Sequence, residues 1–367
     1  MTDFNLAQPL PQLDKCVELL QNAIEQSHFS AAQFVVSDKS GIRADIAVGT
    51  TIAKNHSNPY QKPYPVDHST LFDVASITKP IATAGLIMQA VNAKFLDLSL
   101  KLVNLDSIGV PSWLLGSTIA DLLSHHTMLK PWIDLSGSHY KYSRFRSARE
   151  PFEEILQESE PRTDGATYCY SDLGYILLGF LIEDLYGDTI SNIFANKIAI
   201  PLGLDEEMMF CPLHKIEQKK IVATCKVGHQ FAQGHPDDSN ARALLHRAGH
   251  AGLFASARAI DAYVRALFDG SFPCSKKIIN EFVSYRHIET PYALGWDRPT
   301  GDNSLSGANK DDHVIGHLGF TGCSVWYDLD KKRCITLLTN RTHLSNSTDD
   351  INELRRKLYR LCWSDAR

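Results

Sequence analysis

Strand-patterned segments stand at both ends of this chain and helix-patterned ones lie between them, so the two ends must meet to complete one sheet. Near the start, 32–37 and 42–48 read as strands joined by Asp38-Lys39-Ser40-Gly41, a turn composition that predicts a hairpin. An amphipathic helix is predicted before it over 13–26, with Cys16, Leu19, Leu20, Ala23 and Ile24 on one stripe. The last third is read as strands at 292–296, 314–318, 323–328 and 333–340, closed by a helix at 350–362. Helical spacing recurs at 119–124, 151–158, 171–185, 190–198 and 256–268. The stretches 130–147 and 207–244 have no clear period and are expected to be loops over those helices. The expectation is an α/β fold: an antiparallel sheet flanked by helices, built from 1–95 and 255–367, with a large all-helical insertion domain over 96–254.

The bulk properties exclude several functional classes. With 44% hydrophobic and 22% charged residues, the chain is that of an ordinary globular protein. A formal charge of -5 gives no basis for nucleic acid or an anionic membrane surface as partner. No apolar run approaches the roughly 18 residues of a membrane span, and residues 1–9 lack the basic and apolar regions of a secretory signal, so a cytoplasmic address is expected. The eight cysteines are scattered without a Cys-x-x-Cys pair, which reads as reduced thiols rather than a zinc or redox site.

Chemistry enters at Ser76-Ile77-Thr78-Lys79, at the mouth of an apolar segment running to Met88. A serine and a lysine three residues apart at a helix start lie on one face, the arrangement a lysine-activated nucleophile requires. Serine there is also a favoured helix cap, but a capping box would place Glu or Gln at position 79. A cation in the first turn opposes the helix macrodipole at a cost of roughly 0.3–1 kcal/mol, so Lys79 needs another purpose. Further along stand Tyr168-Cys169-Tyr170-Ser171-Asp172-Leu173-Gly174 and Gly316-His317-Leu318-Gly319-Phe320-Thr321-Gly322.

Serine-x-x-lysine, a tyrosine motif and a glycine-containing strand, in that order, resemble the signature of the serine β-lactamase and penicillin-binding-protein superfamily. The likeness spans about 29–340 and is greatest to the branch with class C β-lactamases, D-aminopeptidase-like enzymes and esterases. Phe72-Asp73-Val74-Ala75, Ile119-Ala120-Asp121-Leu122-Leu123-Ser124-His125 and Gly249-His250-Ala251-Gly252-Leu253-Phe254 add to it. The resemblance implies that Ser76 is the nucleophile, that Lys79 shares or removes its proton, and that Tyr170 is a second relay, as a phenolate or through Lys79. It implies an oxyanion hole from the backbone N–H groups of Ser76 and Phe320, with Gly319 letting substrate approach the backbone.

Two positions depart from the family pattern. Asp172 stands where an asparagine is usual; it is expected to pair with Lys79, to cap the following helix, or both. His317 replaces the lysine of the family's lysine-threonine-glycine strand, which removes a fixed cation suited to a substrate carboxylate and leaves His317 to position substrate. Efficient β-lactam hydrolysis is therefore not expected. His246 and His250 are four apart, but Gly249 interrupts the helix that would align them and no carboxylate lies between, so no metal site is expected. His125-His126 is expected to pack beside the site. Asp238 and Asn240, in a stretch resembling one in N-acetylmuramoyl-L-alanine amidases of this fold, read either as substrate contacts or as an Asx-rich solvent turn. The expected function is hydrolysis of a small ester, amide or peptide through an acyl-enzyme, with no cofactor. The alternatives are a β-lactamase or D-stereospecific peptidase, a muropeptide amidase, and a non-enzymatic binding protein that kept the fold.

Overall fold

The computed structural model describes residues 9–54, 61–105, 109–135, 149–287, 290–301, 304–309, 312–344 and 347–363. Its main sheet has five antiparallel strands in the spatial order Gly41–Gly49, Ala31–Asp38, Arg333–Thr339, Ser324–Asp328, Val314–Leu318. The two ends of the chain meet inside it, with Phe34 opposite Leu337. Ala31–Asp38 is buried along its whole length because both faces are covered. Ala32, Phe34 and Val36 face the helices Leu13–Glu25 and Asp349–Trp363, whereas Ala31 and Val35 belong to the larger core on the other side. Asn340 fastens the junction: its Oδ1 accepts from the amides of Ser30 and Ala31 at 3.0 Å, and its Nδ2 donates to the Ala223 carbonyl at 2.8 Å.

The larger core holds the helix Ala257–Asp269 against the sheet and the helices of the middle segment beyond it. Asp172–Tyr186 is apolar nearly all round, with Leu173, Tyr175, Ile176, Leu177, Leu178 and Ile182 all buried, so it runs through the interior. Gly249 touches this helix backbone to backbone. A Cβ there would lie 1.9 Å from the Tyr175 carbonyl oxygen, so only glycine brings the 249–252 turn this close.

Several segments differ from expectation. The stretch 207–244 is not loop throughout. Met208–Phe210 pairs with Leu253–Ala255, which pairs in turn with Phe72–Asp73 just before the serine motif. Ala223–Val227 and Gln230–Gln233 form a hairpin, and Ser239–Ala243 is a short helix. Strands of two to five residues are too short to show a period, and what stabilises them is pairing with distant segments. The mostly helical middle thus carries short strands as well. The other loop expectation, 130–147, falls largely outside the described residues.

The run 292–296 is not a strand. Its apolar residues Ala293, Leu294 and Trp296 are buried, but the chain turns at Gly295 (φ 90°) and meets the sheet only through a bridge from Asp297 to Gly316. A short apolar run bounded by a turn fits a buried irregular segment as well as a strand, and the positive φ decides. Lys276–Ser284 is a further helix, seating Ile279, Phe282 and Val283 in the core. No helix among the described residues is long and apolar enough to cross a membrane.

Candidate active site

The Ser76 turn is held from every side by its neighbours. Ala75, just before Ser76, has φ 47°, a strained value for a residue with a Cβ. Asp73 imposes it: its Oδ1 accepts from the Ala75 amide at 2.9 Å and its Oδ2 from the Asp237 amide at 2.6 Å. The Thr78 hydroxyl donates to the Ala75 carbonyl at 2.6 Å, and the Thr321 hydroxyl to the Asp73 carbonyl at 2.7 Å. Burial pushes the Asp73 carboxyl up to about 7. Ser76 itself lies in a 3-10 turn, Ala75–Ile77, without capping a helix through its side chain. The chain then winds as a π-helix over Lys79–Ala84, which accommodates Pro80 with its missing N–H, before α-helix resumes at Gly85.

Lys79 is completely buried and its Nζ has three oxygen partners. It donates to Ser76 Oγ at 2.9 Å and to the His250 carbonyl at 3.3 Å, and it pairs with Asp172 Oδ1 at 2.7 Å. Asp172 and the backbone carbonyl thus answer the unfavourable helix position that the sequence poses. The cap position of the following helix belongs to Ser171, so Asp172 serves the lysine. Nζ also lies 4.8 Å from the Tyr170 ring centroid.

Tyr170 lines the cleft with Ser76, and burial first, with the Asp172 charge second, raises its phenol well above the ordinary range although Ser76 works the other way. A phenolate is therefore disfavoured, and Tyr170 stands as a neutral donor. His125 packs on it at 4.5 Å between ring centroids, and its Nδ1 accepts the Ser171 amide at 3.1 Å. Burial and the nearby Lys79 hold His125 well below its usual range, so that acceptor is a neutral ring.

His317 is buried at the end of Val314–Leu318, 6.0 Å from Tyr170 between ring centroids. Burial, then Lys79, pushes it down to about 3. It is a neutral imidazole whose Nδ1–H donates to the Leu318 carbonyl at 2.8 Å, leaving Nε2 as an acceptor. The strand therefore presents no cation at the position where the family has lysine. Gly319 is required for a reason the sequence does not show. A Cβ would lie 2.5 Å from the Val74 carbonyl oxygen, so the glycine lets the strand end touch the Ser76 turn.

The next peptide has a fixed orientation. The Gly319 carbonyl accepts from the Gly322 amide at 3.0 Å and from Arg355 Nη2 at 3.3 Å, and Arg355 also donates to the Cys323 carbonyl at 2.7 Å. In a planar trans peptide this directs the Phe320 N–H away from the guanidinium. Neither the Ser76 nor the Phe320 amide has a partner among the described residues. Ser76, Tyr170, Asp172, His317, Gly319 and Phe320 line one cleft of about 830 Å³.

Asp238 and His250 meet beside Lys79, with His250 Nε2 2.9 Å from Asp238 Oδ1. Burial works to raise the Asp238 carboxyl, but His250, the Ala241 amide and Lys79 together bring it below the ordinary range, so the group stays ionised. Asp238 also caps Ser239–Ala243 by accepting the Ala241 amide at 2.7 Å. Asn240 is buried rather than in a solvent turn, and its side chain bonds the backbone of Leu135 and Ile133 at 2.9 and 2.7 Å. Asp172, Asp238 and His250 bring donor atoms within 4.8 Å of one another, but the Lys79 ammonium already supplies positive charge there. Sequence reasoning missed the structural role of Asp73, the Asp238–His250 pair, and Asp297, which lines the cleft with its Oδ1 buried and unpartnered. A carboxylate closing the apolar run 292–296 is the one signal that could have drawn attention to Asp297.

The family model described as Beta-lactamase matches residues 17–360. The chain belongs to the β-lactamase family. It is 26% identical over 370 residues to an N-acetylmuramyl-L-alanine amidase of Bacillus subtilis (strain 168), covering 90% of this chain and 81% of that one. EstCE1, a solved hydrolase with promiscuous acyltransferase activity, superposes with a TM-score of 0.71 at 17% identity, covering 94% of this chain and 98% of the other. A class C β-lactamase does so at 0.70 and 15% identity, covering 96% and 97%. These likenesses establish the fold, and the family places the chain among β-lactamase-related hydrolases.

Proposed function

We propose that this β-lactamase-family protein hydrolyses a small ester or amide through an acyl-enzyme on Ser76. The observation that carries the reading is the buried Lys79, 2.9 Å from Ser76 Oγ and 2.7 Å from Asp172, with Tyr170 lining the same cleft as the serine. In acylation, Ser76 Oγ attacks the carbonyl carbon and its proton passes to the Lys79–Asp172 pair. The neutral Tyr170 phenol gives its proton to the leaving group and regains one from the pair. The amides of Ser76 and Phe320 hold the oxyanion. Water then attacks the ester by the same relay in reverse, releasing the acid and restoring Ser76.

His317 weighs against a β-lactamase, because a neutral ring offers no charge to a substrate carboxylate. The Bacillus subtilis amidase relative favours, as second reading, an amidase of cell-wall fragments. A cytoplasmic address is part of the proposal, supported by eight free cysteines. A fluorophosphonate probe tests the central claim: a mass adduct on Ser76 and loss of activated-ester turnover in Ser76→Ala are expected. No adduct, with variant and parent behaving alike, overturns it in favour of a binding protein.

A further inference from the structure

Asp172, Asp237, Asp238 and Asp297 all line the cleft, and Asp297 differs from the rest in having a buried oxygen with neither a hydrogen bond nor an ion pair among the described residues. It follows the Gly295 turn and bridges to Gly316, whose amide donates to its carbonyl at 3.0 Å while its own amide donates to the Gly316 carbonyl at 2.7 Å. That places Asp297 beside the His317 strand. Its Oδ1 is buried and has no hydrogen-bond partner among the described residues. Such an atom costs roughly 1–3 kcal/mol, more when charged, and calls for an explanation.

Among the described residues no cation forms an ion pair with it. Lys79 acts on Asp297 from a distance, but its ion pair is with Asp172. Arg242 donates to the carbonyls of Pro236 and Asp237 at 2.6 Å, and Arg355 to those of Gly319 and Cys323. Arg341 is turned to the Phe320 carbonyl. The Asp297 charge helps to raise the phenols of Tyr170, Tyr175 and Tyr292 above their ordinary range. Tyr170 and Tyr292 line the cleft with ring centroids 6.0 Å apart. Burial pushes the carboxyl up to about 7, with Lys79 only partly opposing. A buried carboxylate oxygen that lines a cleft with no cation paired to it is the chemistry that receives an ammonium group, and the Tyr170 and Tyr292 rings lining the same cleft suit a cation too. The neutral His317 removes the competing demand for a substrate carboxylate.

We propose that the cleft holds an ammonium-binding subsite at the Asp297 carboxylate, in the part of the cleft that Tyr170 and Tyr292 also line, so that the substrate is an ester or amide carrying a cationic amine. The inference rests on the hydrolase reading of the same cleft. An arriving ammonium completes the hydrogen bonding of Oδ1 and orients the scissile carbonyl toward Ser76, and Asp297 is a specificity residue.

The test compares kcat/KM for alanine p-nitroanilide, of either hand, with that of its N-acetyl form. The free amine of one hand is expected to lead by about tenfold or more, and Asp297→Asn to collapse that ratio to within about threefold, whatever it does to absolute rates. Asp297→Glu, which keeps the charge, is expected to retain part of the preference. Equal turnover of both forms by the parent protein overturns the subsite, as does a ratio unmoved in Asp297→Asn. Should that variant not fold, inhibition of parental p-nitrophenyl butyrate turnover by propylammonium against propanol decides: about tenfold tighter inhibition by the amine supports the subsite, and equal inhibition sinks it. Calorimetry of propylammonium chloride with the Ser76→Ala protein separates the two readings. Heat of binding there without a fluorophosphonate adduct on the parent defeats the hydrolase reading alone. An adduct without amine binding defeats the subsite alone.

Discussion

The two sides of the cleft treat buried charge in opposite ways. On the Ser76 side the buried charges are answered: Lys79 has three oxygen partners, and Asp73 has an amide on each carboxylate oxygen. On the Asp297 side a carboxylate oxygen is buried with no hydrogen-bond partner among the described residues. A nucleophile must be fixed before substrate arrives, so its surroundings over-determine it. A recognition group works best when the partner it lacks is the ligand, and the cost of leaving it bare is borne by the free protein. The contrast separates residues that position the reaction from one that selects what reacts.

The largest effect should come from removing the satisfied side's central charge. Lys79→Met is expected to lower kcat on an activated ester by about 10³-fold or more and to abolish the Ser76 adduct, since it removes the proton route and leaves Asp172 without its cation. Stopped-flow release of p-nitrophenol with mass analysis of the adduct checks both. A residual rate within about tenfold of the parent would mean that the lysine is not the relay.

Next comes the peptide that aims the Phe320 amide. Arg355 holds the Gly319 and Cys323 carbonyls from a buried position without lining up on the serine itself, so it is a positioning residue. Arg355→Met should lower kcat by about 10–100-fold with KM little changed, because an oxyanion donor matters mainly in the transition state. A rise in KM at constant kcat would instead assign Arg355 to substrate binding.

How much of this arrangement sequence could reveal follows from distance along the chain. The hairpin, the helices at 119–124 and 171–185 and the strands at 314–318 and 333–340 carry local periods, and each forms within a residue or two of its expected bounds. Ser76, Lys79, Tyr170 and His317 were legible through short ordered motifs. The close approach at Gly319, the double clamp by Asp73 and the pairing of Asp238 with His250 were not, because each depends on a segment far away in sequence. Asp297 was hidden twice over. Its run resembles a strand, and nothing local marks a side chain whose important property is the lack of a partner.

A pH profile sharpens the same contrast with a smaller effect. His317, at about 3, does not titrate near neutrality, so any inflection near 7 cannot be assigned to it. Asp297, at about 7, feels the charge of Lys79, and the phenols of Tyr170, Tyr175 and Tyr292 on which it acts are raised above their ordinary range and do not titrate there. For an amine-bearing substrate, kcat/KM should rise several-fold between about pH 6 and 7.5 as the carboxylate ionises, more steeply than for p-nitrophenyl butyrate. Parallel profiles for the two substrates would remove Asp297 from recognition.

The smallest effect is on stability, and its sign is opposite to that on activity. Burial raises the Asp297 carboxyl in the folded protein from 3.8 to about 7. Between those values the folded state holds a proton that the unfolded chain has lost, so stability falls as pH rises through the window and the penalty is complete above it. Asp73 acts in the same direction over the same range, so the parent protein should lose stability from pH 4 to 7 on both accounts. Asp297→Asn removes one of them. It should match the parent near pH 4 and be more stable at pH 8 by on the order of 1–3 kcal/mol, while a shallower slope owed to Asp73 remains. Urea unfolding at the two pH values measures the difference. A variant less stable than the parent at pH 8 would mean that the Asp297 carboxylate is compensated inside the folded protein, and the contrast between the two sides of the cleft would fall with it.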